Sequence, residues 1–254
     1  MHKSFVGLVC AAILSSACGK DAVQTITAPA PPSAIKFFNF GVNAPGVNFY
    51  ANDTKMTAIT SGTGTESTTG VVYGGVGSGG FYDGISPGQY TLSGRIAAAT
   101  DKDLAISNLS APIADGKYYS YYLSGFYNTT AKTVDNFIVE DVLPQADFST
   151  AYVRFVNAIS NANPMTLYAK NTVTLAEVPV GAEIAYKGAG AFTALPPGIY
   201  DLSTRYAGTT TNAIARTGVS FGAGKIYTIG ARGDITVTST TATNRPFLDN
   251  TANR

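Results

Sequence analysis

Few residues in this 254-residue chain can do chemistry, and Cys18 is the first of them. It follows Leu14-Ser15-Ser16-Ala17, which ends an apolar run from Phe5 to Leu14. A positive start (His2, Lys3), a short apolar stretch and small residues before a cleavage point are the parts of a secretory signal peptide. A Cys placed at the new N-terminus is a bacterial lipobox, where the thiol sulfur takes diacylglycerol. The expected boundaries are a signal peptide over residues 1–17 and a lipidated Cys18 that starts the mature protein. Each acyl methylene buried in the bilayer contributes about 0.8 kcal/mol, so two or three chains give a durable anchor. Ser15 stands where an aliphatic residue is commoner, and ordinary cleavage after Ala17 is the competing reading. Gly19, rather than Asp, follows the Cys, which points to the outer membrane by analogy with sorting in enteric bacteria.

The remaining chemistry is sparse. The single His, His2, leaves with the signal, and so does Cys10. Ser-His-Asp and Cys-His arrangements and a His-based zinc site are therefore not expected. Asp101-Lys102-Asp103 and Glu140-Asp141 are carboxylate pairs. A glycosidase needs two carboxyls across one cleft, and neighbours on a strand face opposite ways. Asp101 and Asp103 sit in a turn-like, solvated stretch. No EF-hand spacing is present. Gly75 to Gly80 contains G-x-G-x-x-G, but Gly84, Pro87 and Gly88 forbid the helix that a phosphate loop requires. No catalytic residue, metal site or cofactor is expected.

The Tyr-rich run from Tyr118 to Tyr122 is the other feature. Alternation sends Tyr119 and Tyr121 to the core with Leu123. It sends Tyr118 and Tyr122 outward, as candidate ligand contacts on which a sugar ring could stack. The competing reading has them pack against neighbours or another domain.

These residues need a scaffold, and the sequence repeats one. IKFFNFGVNAPGVNFYAN (35–52) matches VRFVNAISNANPMTLYAK (153–170) without gaps. SPGQYTL (86–92) matches PPGIYDL (196–202), and GKYYSYYLSG (116–125) matches GKIYTIGARG (224–233). The largest length difference falls around SGTGTESTTG (61–70), read as a longer surface loop. Tyr200, Leu202, Thr204 and Tyr206 alternate with polar residues, as do Tyr90, Leu92 and Ile96. That period is the mark of half-buried antiparallel strands. Pro87-Gly88 and Pro197-Gly198 suit type II turns. The fold class expected is all-β: two tandem antiparallel β-sandwiches, immunoglobulin-like or prealbumin-like, of about seven or eight strands each. Residues 18–33 form the lipidated Cys and a Pro-rich tether, residues 34–144 copy one, and residues 145–254 copy two with a C-terminal tail.

The repeated opening block resembles the bacterial domain-of-unknown-function family numbered 4397. Val153-Arg154-Phe155-Val156-Asn157-Ala158 and Leu167-Tyr168 carry the likeness in copy two. Phe37, Asn39, Asn43-Ala44-Pro45, Val47 and Phe49-Tyr50 carry it in copy one. Members of that family are often secreted or attached to the envelope, and the resemblance implies no enzymatic role. Asn39, Asn157, Asn48 and Thr166 stand where some members have His or Asp.

Without Lys3, the basic residues equal the 16 acidic ones in number, and no basic cluster is evident along the chain. Nucleic acid is therefore not an expected partner. The sequence reads as a non-catalytic cell-envelope lipoprotein, surface-exposed or facing the periplasm, held by its lipid and binding protein or glycan. The alternative is a carbohydrate-binding accessory lipoprotein that uses exposed Tyr residues.

Overall fold

The computed structural model describes residues 32–145 and 147–254. The signal peptide, Cys18 and nearly all of the tether lie outside the described residues. Pro31–Arg254 forms one compact unit.

The first half holds β1 (Ser33–Asn39), β2 (Val47–Ala51), β3 (Thr54–Lys55), β4 (Gly75–Val76), β5 (Asp83–Ile85), β6 (Gly88–Ile96), β7 (Ala105–Ile113), β8 (Tyr118–Asn128) and β9 (Thr133–Glu140). The second holds β10 (Ala151–Asn157), β11 (Met165–Asn171), β12 (Glu177–Ile184), β13 (Thr193–Leu195), β14 (Gly198–Tyr206), β15 (Ile214–Phe221), β16 (Ile226–Arg232) and β17 (Phe247–Ala252). Each half has two sheets. In the first, β4-β1-β8-β9, with β5 also on β1, lies against β3-β2-β6-β7. In the second, β13-β10-β16-β17 lies against β12-β11-β14-β15. The architecture is all-β, as the sequence pattern implies.

Period-2 alternation puts one side of each strand into a core. Phe37 of β1 stacks on Phe49 of β2 at 5.0 Å, and Tyr121 of β8 meets Phe49 edge-on at 5.9 Å. In the second half Phe155, Leu167, Leu202, Phe221, Ile229 and Leu248 close the equivalent core. β1 starts at Ser33, the last residue given to the tether, whose buried hydroxyl donates to the Ala114 carbonyl at 2.8 Å.

Two details differ from expectation, within sheets whose other strand pairs are antiparallel. The sheets are not wholly antiparallel: β1 pairs with β8, and β10 with β16, in parallel. A tight hairpin cannot join parallel neighbours. In each half the chain visits the opposite sheet before returning beside its first strand. Nor do the Pro-Gly pairs make type II turns, which need φ near +80° at Gly. Gly88 has φ 156°, and Gly198 is not among the positive-φ residues. Each is instead the extended first residue of its strand, opposite Ile113 and Phe221 respectively. The tract at 61–70 does lie largely on the surface, with Thr60 bridged to Glu66.

A third apolar cluster joins the halves. Phe38, Phe40, Tyr122 and Phe137 of the first half pack with Val156 and Ala158 of the second. In the sequence repeat Phe38 corresponds to Val156, Phe40 to Ala158 and Tyr122 to Gly230. One half thus supplies large side chains and the other leaves room for them. A Cβ on Gly230 would lie 2.7 Å from the Phe40 ring.

Candidate functional site

A buried polar network sits beside that cluster and explains why two basic residues occupy inner strands. Lys36 of β1 and Arg154 of β10 occupy matching places in the repeat, and both are fully buried. Lys36 Nζ donates to the Ala252 carbonyl of the other half at 2.7 Å. Arg154 Nη1 reaches the Glu140 carbonyl of the other half at 3.4 Å. Glu140 and Ala252 each end the last strand of their half. The next residues match as well: Asp141 N–H donates to Tyr118 O, and Asn253 N–H to Ile226 O. Within its own half, Lys36 lies 4.3 Å above the Tyr82 ring, and Arg154 lies 4.8 Å above the Phe192 ring. The contacts are reciprocal across the junction.

The charges are less even than the geometry. Asp141 accepts from Arg154 Nη2, from the Tyr82 hydroxyl at 2.6 Å and from Ser120 Oγ at 2.7 Å. Its counterpart is the neutral Asn253, which donates to Tyr82 Oη at 2.6 Å and accepts from Thr228 Oγ1 at 2.8 Å. Two cations therefore share one carboxylate. Burial lowers the Lys36 ammonium to about 8, against the pull of Asp141 and with a further push from Arg154. Burial also raises the Tyr82 phenol, and the adjoining Asp141 charge adds to that.

The Lys36 shift fixes the sign of a pH effect. Between about 8 and its ordinary value near 10.5, the unfolded chain holds a proton that the folded chain has released. Stability then rises with pH, and the cost of the buried charge is fully present below that window. Thermal melting of wild type and Lys36→Met from pH 7 to 9.5 should show wild type gaining on the variant above pH 8. The gain is at most about 1.4 kcal/mol per pH unit. A constant difference would refute the assignment.

The carboxylates singled out in the sequence do not meet. Glu140 forms a surface pair with Lys117 at 2.8 Å, and Asp101 one with Lys132 at 2.6 Å. Asp103 is exposed, and Asp141 is locked to Arg154. Gly77–Gly80 makes a tight turn with left-handed backbone at Ser78 and Gly79, and the Ser78 hydroxyl binds the Asp83 carboxylate at 2.7 and 2.8 Å. Among the described residues no group of three or more His, Cys, Asp or Glu could hold a metal ion.

The outward tyrosines separate. Tyr118 is 38% exposed and packs edge-on against Tyr82 at 5.2 Å. Tyr122 is 0% exposed, so its expected exposure is corrected. It stacks between Phe38 at 4.4 Å and Phe137 at 4.8 Å because the second half covers the outer face of β8. No ligand ring can reach it without parting the halves. Tyr119 and Tyr121 are core residues, as alternation implies.

An open groove of about 360 Å³ lies at one margin of the junction. Gly125, Phe126, Asn128, Thr133 and Asp135 of the first half line it with Ser160 of the second. At its edge Tyr186 donates to Asp135 at 3.0 Å, and Lys187 pairs with Asp135 at 2.9 Å. Burial raises the Tyr186 phenol. These residues can hydrogen-bond a polar ligand.

No helix among the described residues is long and apolar enough to cross a membrane. The search of curated proteins finds no match. Among solved structures, a candidate cell adhesion protein from Bacteroides ovatus is 12% identical; the match covers 89% of this chain and 97% of that one, with a TM-score of 0.27. Residues 151–253, the whole of the second half from β10 to β17, match the family model described as Domain of unknown function (DUF4397).

Proposed function

We propose that the protein is a non-catalytic cell-envelope lipoprotein: Cys18 carries the lipid, residues 19–33 form the tether, and two tandem copies of one β-sandwich domain, 34–144 and 145–254, form a binding or structural module. The observation that carries the non-catalytic reading is the fate of the carboxylates. Asp141, the buried one of those singled out, is neutralised by Arg154 and saturated by Tyr82 and Ser120. Asp101 and Glu140 are spent on surface pairs. General acid–base work needs a carboxyl free to exchange a proton with substrate. The reciprocal contacts of Lys36 and Arg154 support the tandem reading. The family match covers the second half alone and supports the reading of that half as one such domain. The carbohydrate reading retains Tyr118 but loses Tyr122 as a contact.

Detergent-phase partition tests the anchor. Wild type expressed in a Gram-negative host should enter the detergent phase, and Cys18→Ala should stay in the aqueous phase. Two or three acyl chains make that difference nearly complete. Equal partition of the two forms would remove the lipid from the proposal. Labelling with an alkyne fatty acid, lost in the variant, gives an independent readout.

A further inference from the structure

Three guanidinium groups crowd one aromatic ring in the second half. The Cζ atoms of Arg216, Arg232 and Arg245 lie 5.2, 5.3 and 5.2 Å from the centroid of Phe247. They come from β15, β16 and the loop before β17. One carboxylate answers them: Asp249, bound to Arg232 Nε at 2.5 Å. Among the described residues, Arg216 and Arg245 make no ion pair. Arg216 donates to the Leu248 carbonyl at 2.6 Å, and Arg245 to the Ala242 carbonyl at 3.2 Å. Each keeps further N–H donors free, since a guanidinium has five.

The first half supplies the wall. The Tyr73 ring lies 4.7 Å from Arg232 Cζ, and the Tyr73 hydroxyl is buried without a hydrogen-bond partner. Gly74 makes the close approach possible, for a Cβ there would lie 2.8 Å from Arg232 Cζ. Burial raises the Asp249 carboxyl, against the pull of Arg232 and Arg216.

The equivalent place at the other margin is balanced. There Tyr186 and Lys187 stand for Tyr73 and Gly74, since Gly74 N–H donates to Asn39 O and Lys187 N–H to Asn157 O. Strand register puts Ser124 opposite Asp135 and Arg232 opposite Phe247. One Lys meets one Asp at that margin. At this one, three cations meet one anion. The excess charge is therefore not needed to join the halves. A guanidinium held against a ring can still bind an oxyanion through its N–H edge; Arg232 spends that edge on Asp249, whereas Arg216 and Arg245 do not. The loop leading to Arg245, TVTSTTAT (236–243), is rich in hydroxyls, which suits a hydroxylated ligand.

We propose that Arg216 and Arg245, grouped with Arg232 around Phe247, form a binding site for an oxyanion group (phosphate, sulfate or carboxylate) carried on a saccharide. The site deepens the reading of the chain as a binding module and does not depend on the lipid anchor.

The test is calorimetric titration of the full chain at low ionic strength. The probes are inorganic phosphate, inorganic sulfate, glucuronate, glucose 6-phosphate and, as the neutral control, glucose. The anions should bind saturably and glucose should not. Glucose 6-phosphate or glucuronate should bind more tightly than the inorganic ions if the sugar contributes. Arg216→Gln and Arg245→Gln should each weaken binding about tenfold or more, as expected for a lost charged hydrogen bond, with melting temperatures close to wild type. Wild-type affinity should fall as salt is raised to about 0.5 M, a readout that needs no variant. A response to phosphate and sulfate alone assigns a tetrahedral group, and one to glucuronate alone a uronic acid. The proposal is overturned by no saturable anion binding, by equal binding of glucose, by salt-independent affinity, or by affinity unchanged in both variants. The anchor is read by partition, so the two can fail separately.

Discussion

Replacing Asp141 by Ala is expected to cost about 3–5 kcal/mol of folding stability, the range for removing one partner of a buried ion pair. The substitution leaves Lys36 and Arg154 in the junction with no carboxylate between them, and it strands the Tyr82 and Ser120 hydroxyls. A typical domain has only about 5–15 kcal/mol in total, so the variant should melt far below wild type. The contrast that identifies the mechanism is the double variant Asp141→Leu with Arg154→Leu. Removing both charges together should cost less than removing Asp141 alone, because Lys36 is then the one cation left without a carboxylate and no longer faces the Arg154 charge. Urea titration followed by tyrosine fluorescence or circular dichroism suits a chain that has no Trp. If the double variant is as unstable as the single one, packing rather than charge holds the junction.

Tyr122→Ala should be similarly severe, at about 3–5 kcal/mol, the cost of deleting a large buried ring. Tyr118→Ala should stay within about 0.5 kcal/mol, as surface changes usually do. The two residues share a strand face, so alternation predicts the same effect for both. The difference arises because the Tyr122 ring fills a stack between Phe38 and Phe137. Its hydroxyl has no partner, which tempers the loss, and Tyr122→Phe should be neutral or slightly stabilising. Chemical denaturation of the three variants checks this. Near-equal stability of Tyr118→Ala and Tyr122→Ala would contradict the buried stack.

That contrast marks where the sequence stopped being readable. Period-2 alternation identified the strands and both inner faces, because one polar face per strand was assumed. β1 breaks the assumption. In SAIKFFN every residue except the partly buried Ala34 is buried, and β10 repeats the pattern with AYVRFVN. Apolar residues on both faces signal a strand covered twice, and Phe38, Phe40 and Val156 carried that signal. Read that way, Tyr122 would have been placed in a junction instead of in solvent. Lys36 and Arg154 were visible as matched residues, but a buried cation looks like a surface one until its partner is known. Asp141 follows β9 with no local pattern that ties it to a residue in the next strand. Arg216, Arg232 and Arg245 were not legible at all, since they converge on Phe247 from two strands and a loop. The parallel pairing of β1 with β8 leaves no mark on either strand alone.

The reciprocity of Lys36 and Arg154 carries a consequence for how such a molecule can change. In an assembly of two identical subunits, every substitution at the shared face occurs twice and must be tolerated at both ends. A single polypeptide bearing both faces is free of that coupling. Asp141 opposite Asn253, Tyr122 opposite Gly230, and Lys187 opposite Gly74 are departures that a symmetric pair could not make one at a time. Covalent linkage let one margin stay electrically neutral while the other gathered arginines.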